Sequence, residues 1–526
     1  MNEKLQKNNA ILLERFQNTL PRTFSISVDG KPVAVKAYEG ISYVTSPVKT
    51  DTEKTKGMGR ADDPYAWQKL TLWIPETVKP DAPVILRVRN GGWMNSALSQ
   101  DRPFVQENGE YHTDSERDYV AQAFSAGYAM AECGTRGRQM VDVNGKYVGK
   151  APACIVDAKA AIRFLRLIDS QIPCSAEKIV LTGTSGGGAL SAILAASGNH
   201  PDFTPYLEEE GAADERDDVF GAMCYCPIID LGHADLAYEW QYNEARKRQG
   251  EWSPETLAAS DELKACFGAY LQGLNLKWED GTALTEENLP SAIIALMIRE
   301  LEDQLKQGTN LPKGGKDFTI VEENHFLGTT TERTFVNNWM DYDENGKVTT
   351  FDYPKFLDFV ASVQRLKDAP SFDESGFARI HGPQNAMWDP GESNLYGDEV
   401  HEYCTYTPYS WEHTDKPGPD CGRQATGISF EEFLKTEAGQ LVQKQIRMTS
   451  PFPYLADEKA TCAPHWYVRH GMRDRDTSFA IETMLYAALR QKKEIKSLSF
   501  KFRYLLRHSG DYDVIEAYDW LKNILN

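Results

Sequence analysis

The sequence predicts an α/β fold: a mostly parallel sheet covered by helices on both faces and interrupted by a long insertion. Three patterns predict it. Short apolar runs alternate with helical periodicity over the first 220 residues. From about residue 227 to 455 the rhythm changes to helix formers, acidic residues and long polar loops. After residue 460 the strand pattern returns. At roughly 100–200 residues per domain, 526 residues exceed one minimal domain. The chain therefore divides into core residues 1–226, an insertion at 227–455 and a second core part at 456–526.

Each element has its own local cause. Thr23–Val28 and Val33–Tyr38 form an opening hairpin around Asp29-Gly30. Lys69–Ile74 is strand-like and stops at Pro75, and Val84–Val88 runs into Asn90-Gly91-Gly92. Tyr128–Cys133 is another short apolar run. Ile155, Ala158, Ile162 and Leu165 recur at helical spacing. Lys178–Leu181 is a strand, Gly186–Ser197 is a helix rich in small residues, and Val219–Cys226 is again strand-like. In the insertion, Leu263–Leu271 and Leu289–Leu305 read as helices. Asp368–Pro419, full of Pro, Gly and aromatics, is too long for a plain connection. The strand His465–Arg469, the helix Ser478–Arg490, the strand Ser497–Tyr504 and the helix Val514–Leu525 close the chain.

Composition excludes several function classes. The net charge of −20 repels phosphate backbones, so no nucleic-acid partner is expected. The longest apolar run, Ala292–Ile298, is far short of the ~20 residues that cross a bilayer, so no membrane partner is expected either. The N-terminus has no signal-peptide core, which predicts a cytoplasmic protein as written, and a secreted or surface-anchored one if a leader has been removed. Nine cysteines spread over this length form no disulfide framework and read as buried thiols, and Cys224 and Cys226 lack the partners of a zinc site.

Gly183-Thr184-Ser185-Gly186-Gly187 lies between a strand and a helix. This is G-x-S-x-G in the context that gives it meaning: a turn so sharp that the neighbours must be small, with the hydroxyl presented at a helix N-terminus. Ser185 is thus the candidate nucleophile, and it needs a base to take its proton. The developing oxyanion needs N–H donors. Gly186 offers one, and Gly92, directly after an early strand, offers the second. The base should follow C-terminally. His465 and His470 belong to a strand, and His233, His381, His401 and His413 to the insertion. His508 follows the last strand, where an imidazole can lean over the sheet edge. The orienting acid should end the strand before it, which leaves Asp474 or Asp476.

These residues carry a family resemblance. Gly149–Asp157 leading to Thr182–Ala189, Tyr225-Cys226-Pro227-Ile228 followed by His233–Gln241, Arg469–Ala480 and His508–Asp513 all resemble the bacterial tannases of the lactobacillus type. The likeness spans most of the chain from about residue 40. It implies an α/β-hydrolase with a large inserted lid domain, a serine esterase that cleaves galloyl esters through an acyl-enzyme and needs no cofactor. It also implies Ser185, Asp474 and His508 as the triad. Galloyl hydroxyls would be held by Lys367 in Arg365-Leu366-Lys367, by Glu392 ahead of Asn394-Leu395-Tyr396-Gly397-Asp398, and by Asp476, with Ile228 packing on the ring. Two departures from the pattern concern the leaving-group side: Gly391 stands where a proline is usual, and the loop between Lys367 and Glu392 is about ten residues longer. Carboxylates are natural acceptors for phenolic hydroxyls, and an ammonium steadies a partly ionised phenol. The alternatives are a feruloyl or other aromatic carboxylesterase on the same scaffold, a serine peptidase, and a non-enzymatic carbohydrate or polyphenol binder. The complete triad argues against the last.

A separate motif points to a metal. Asp341, Asp343, Asn345, Lys347 (through its carbonyl) and Asp352 fall at positions 1, 3, 5, 7 and 12 of a calcium-loop template, with Gly346 at position 6. This spacing predicts a structural Ca²⁺ beside the helix that leads to Lys367. The same Asn345-Gly346 pair is also a strong type I′ turn signal, so the competing expectation is a β-hairpin.

Overall fold

A computed structural model describes residues 3–28, 30–55, 61–98, 105–107, 110–113, 119–324, 329–373, 391–414, 418 and 420–526. Nine strands precede the insertion: β1 (Arg22–Val28), β2 (Lys31–Ser42), β3 (Lys69–Pro75), β4 (Pro83–Arg87), β5 (Val105–Glu107), β6 (Glu110–Thr113), β7 (Ala129–Cys133), β8 (Ser175–Thr184) and β9 (Gly221–Tyr225). Two separate hairpins, β10 (Asp317–Asn324) with β11 (Thr329–Val336) and β12 (Met340–Tyr342) with β13 (Val348–Phe351), lie inside it. β14 (His465–Gly471) and β15 (Ser497–Arg503) follow. Among the described residues one eleven-stranded sheet runs β15-β14-β9-β8-β4-β7-β3-β2-β1-β6-β5.

The strands at the centre of this sheet, β4, β7, β8, β9 and β14, pair in parallel. Helices cover both faces, so these strands are apolar on both sides: every residue of β7, β9 and β14 is buried. From β7 to β15 every neighbouring pair is parallel, and β1 also pairs with β6 in parallel. β1, β2 and β3 are antiparallel, because the tight Gly30 turn lets β1 fold straight back onto β2 with Val28 opposite Lys31.

β4 sits between β8 and β7, so the strand order reverses beside β8. In open α/β sheets, ligands bind beyond the strand C-termini at such a point. The C-terminal ends of β4, β8, β9, β14 and β15 carry Asn90–Trp93, Ser185, Cys226–Ile228, Asp474 and His508 respectively, all on one edge.

Between β9 and β14 the chain adds no described strand to the sheet. The helices Leu231–Gln249 and Pro254–Gly273 pack together. Glu239, paired with Arg246 of its own helix in a fully buried contact at 2.6 Å, ties them by accepting from the Ser260 hydroxyl at 2.5 Å. The helix Tyr353–Val363 starts as its sequence requires: Asp352 accepts the Lys355 N–H at 3.1 Å, Pro354 occupies the first turn, and Phe356, Phe359, Val360 and Val363 are buried. Of the nine cysteines, eight are buried and Cys266 is exposed.

Candidate active site

Ser185 sits at φ 63°, ψ −124°, between β8 and the helix Gly186–Ala196. A non-glycine residue pays for positive φ only where the surroundings hold it there. Here the Ser185 N–H donates to Tyr225 O at 2.9 Å and Ser185 O accepts from Ile228 N–H at 3.2 Å. The flanking positions have no room for side chains. A Cβ on Gly183 would stand 2.3 Å from Gly187 O, and one on Gly186 would stand 2.0 Å from Asn90 O. The second contact also shows that the Asn90–Trp93 turn lies directly on the elbow. Gly92 in that turn has φ 58°, and neither its N–H nor that of Gly186 has an acceptor among the described residues.

Asp474 and His508 meet where expected. His508 Nδ1 is 2.7 Å from Asp474 Oδ2, and Asp474 is fully buried. The Asp476 N–H donates to Asp474 Oδ1 at 2.8 Å. Asp476 itself lies 4.0 Å from His508 and pairs with Arg475 at 2.8 Å. Spacing had left Asp474 and Asp476 open; the hydrogen bond to His508 belongs to Asp474. The His508 loop abuts the elbow, since a Cβ on Gly510 would collide with Thr184 Oγ1. Burial disfavours the imidazolium, but the Asp474 carboxylate outweighs it and holds His508 well above the ordinary histidine range. Burial likewise disfavours the Asp474 carboxylate, yet His508 keeps it ionised far below the usual range.

Lys367 and Glu392 come together across two loops. The Lys367 N–H donates to Tyr238 Oη at 3.1 Å, and Lys367 Nζ stands 4.3 Å over the Phe372 ring. The Glu392 N–H donates to Phe372 O at 3.0 Å, so Phe372 braces both. Burial raises the Glu392 carboxyl, partly offset by the charges of Arg138 and Lys367. Arg365, two residues before Lys367, stacks instead on Trp252 at 4.1 Å. Gln364 links this segment to the triad side, its amide oxygen accepting from Arg475 at 2.8 Å. Ile228 is buried, and its carbonyl accepts from Trp93 Nε1 at 3.2 Å. Gly391 adopts φ 65° and bridges to Asp373. Most of the longer loop, residues 374–390 with His381, lies outside the described residues.

Sequence reasoning missed Arg138. Its buried guanidinium donates from Nε to Gly92 O at 2.6 Å, and from Nη1 to Asn394 Oδ1 at 3.2 Å and to Gly391 O. One side chain thus ties the oxyanion turn to the loop that carries Glu392. No local motif marks such a residue, because its partners lie 46 and 253–256 positions away.

The calcium-loop residues do not converge. Residues 340–351 form the β12–β13 hairpin, with Asp341 opposite Thr350. Asp343 Oδ1 accepts the N–H groups of Asn345 and Lys347, both at 2.9 Å, and the Lys347 carbonyl accepts the Asp343 N–H at 2.9 Å. Asp341 faces Gly314 and Tyr342, while Asp352 caps the next helix. In this hairpin the candidate ligand oxygens make separate turn and cap bonds. Among the described residues, the carboxylate and histidine groups that do converge are elsewhere: Cys226, His470 and Asp474; Asp398, His401 and Asp420; and Asp474, Asp476 and His508.

Comparison with known proteins agrees with this architecture. The BD-FAE family model, of an α/β-hydrolase family, matches residues 70–263. The solved tannase of Fusobacterium nucleatum superposes with a TM-score of 0.72 at 28% identity, covering 96% of this chain and 98% of that one. The native tannin acyl hydrolase of Lactobacillus plantarum superposes at 0.71, also at 28% identity, covering 96% and 97%. The chain is a carboxylic ester hydrolase. Its α/β-hydrolase fold resembles the bacterial tannases over nearly its whole length. A tannin acyl hydrolase solved in complex with ethyl gallate superposes at 0.71 and 28% identity, covering 96% of this chain and 97% of that one. No curated protein matches. No described helix is long and apolar enough to cross a membrane.

Proposed function

We propose that this esterase hydrolyses galloyl esters. Ser185 attacks the ester carbonyl while His508 takes its proton, and Asp474 holds the imidazole tautomer and stabilises the imidazolium. The Gly92 and Gly186 N–H groups receive the oxyanion. The alcohol leaves with the proton from His508, and water then cleaves the galloyl-enzyme to release gallate. Lys367, Glu392 and Asp476 bind the three ring hydroxyls, and Ile228 packs on the ring.

The observation that carries this is a partition of charge. One side of the site holds the Asp474–His508 pair at 2.7 Å with Asp476 beside it. The other holds a buried Glu392 whose carboxyl feels both Lys367 and Arg138. An ester with an apolar acyl group has no use for a buried acid beside an ammonium. A phenolic ring does, and a site built to bond hydroxyls rejects analogues lacking them by large factors. The solved relatives with ethyl gallate and 3,4-dihydroxybenzoate bind that class of ring. The test is parallel kinetics on methyl gallate, methyl ferulate and p-nitrophenyl acetate. A kcat/KM for methyl gallate no higher than for methyl ferulate would replace this substrate with a broader aromatic ester.

A further inference from the structure

Behind the acid of the triad lies a second pair of titratable groups that the chemistry above leaves unused. His470 lies just before the end of β14 at Gly471, and Glu482 sits in the first turn of the helix Phe479–Gln491. The turn between strand and helix carries Asp474, so the backbone stacks both side chains beneath that carboxylate. All three are fully buried. His470 Nδ1 lies 3.6 Å from Asp474 Oδ2 and 3.8 Å from Glu482 Oε1. Among the described residues, both ring nitrogens of His470 and both Glu482 oxygens lack a hydrogen-bond partner. The rings of Phe479 and Phe502 stand edge-on around the imidazole at 5.4 and 5.8 Å. A buried acid and base without full hydrogen bonding cost stability that an apolar pair would not. Their location behind the one carboxylate that orients His508 gives that cost a purpose.

Resting on the triad assigned above, we propose that His470 and Glu482 are positioning residues for Asp474. His470 turns its Nδ1–H toward the Asp474 oxygen that also receives His508, and Glu482 fixes that orientation from the far side. The electrostatics agree. Burial lowers His470 to about 4, so at neutral pH the ring is an uncharged N–H dipole. Burial, with Asp474 nearby, drives Glu482 well above the carboxylate range, so it is an uncharged acid. Asp474 thereby remains the one charge in the cluster. The other groups facing the pair are the thiols of Cys224 within β9 and Cys226 just after it, His508, and Asp476. From the helix Leu231–Gln249, the Tyr242 hydroxyl donates to Asp474 O at 3.5 Å. An N–H dipole beside Asp474 draws off part of its charge. Removing the dipole should strengthen the hold of Asp474 on imidazolium and raise the pKa of His508.

The test compares wild type, Ser185→Ala, His470→Phe, His470→Leu and Glu482→Gln, each checked for folding by its melting curve. Kinetics are run on methyl gallate and p-nitrophenyl acetate across pH. His470→Phe matches the surrounding aromatic rings. It should lower kcat about tenfold on both esters at unchanged KM, and move the acid limb of kcat/KM upward by about half a unit or more. His470→Leu, which also lacks a donor, stands in should the phenylalanine variant misfold, with the same expected direction. Glu482→Gln exchanges one neutral group for another. It should lower kcat about two- to fivefold and leave the acid limb in place. A wild-type pH profile in a folded His470 variant, or a downward shift of the acid limb in Glu482→Gln, overturns the inference. Retained turnover in Ser185→Ala would instead mean that the triad itself is misassigned.

Discussion

Glu392→Gln isolates the recognition chemistry. The substitution keeps the volume of a side chain that is 8% exposed and removes only its charge. A hydrogen bond to a charged group contributes about 1.5–3 kcal/mol, and about 1.4 kcal/mol is tenfold in rate. Losing the carboxylate should therefore lower kcat/KM for methyl gallate by roughly 10- to 150-fold. Because the amide oxygen still accepts, Gln should fall at the low end and Ala at the high end. p-Nitrophenyl acetate has no hydroxyls to bind and should change less than about twofold. The carboxyl titrates above its ordinary value because it is buried. Only the ionised form accepts fully from a phenol, so the wild-type preference for gallate should fall as pH drops through this raised pKa. In the Gln variant the ratio of the two esters should stay flat with pH. Linkage adds a sign. A carboxyl with a raised folded pKa binds protons more readily in the folded than in the unfolded state, so its stabilisation is present at low pH and is lost as pH rises. Glu392→Gln should thus raise Tm at neutral pH while lowering activity, the usual trade at a functional site. Equal loss on both esters, or a wild-type ratio flat with pH, would refute a role for Glu392 in ring recognition.

Further outcomes follow from the same geometry. Ser185→Ala and Asp474→Asn should each lower kcat by several orders of magnitude with the melting curve intact, measured as burst-free turnover of p-nitrophenyl acetate. Arg138→Lys keeps the charge but not the fork that reaches Gly92 O, Gly391 O and Asn394. It should lower kcat about tenfold or more on both esters and raise KM for methyl gallate alone, since a lost charged hydrogen bond is worth at least about 1.5 kcal/mol. His470 has a folded pKa lowered to about 4, so the unfolded chain binds its proton first and stability should fall as pH drops from about 6.5 to about 4. His470→Phe should flatten that slope in denaturant titrations. The β12–β13 hairpin predicts a Tm that neither EDTA nor added Ca²⁺ changes. A rise with Ca²⁺ that Asp343→Ala abolishes would restore the ion.

Strand, turn and helix signals are local, so much of this protein was legible along the chain. Ser185 was readable because G-x-S-x-G encodes its own sterics: a Cβ at Gly183 or Gly186 would collide with backbone. The opening hairpin, the buried central strands and the capped helix after Asp352 follow from residues within a few positions of one another. The antiparallel β2–β3 and β3–β7 pairings were not readable, because neighbours in a sheet need not be neighbours in sequence. Asp343-Glu344-Asn345-Gly346 fitted two local templates equally well. The strand pairing of Met340 with Phe351 favours the hairpin. Spacing placed Asp474 and Asp476 equally well; the family resemblance implied Asp474, and the approach of a loop 34 residues later brings His508 to it. The link made by Arg138, and the neutral pair beneath Asp474, have no local signature at all. They depend on which buried polar groups face each other once solvent is excluded, and only the folded arrangement of distant segments determines that.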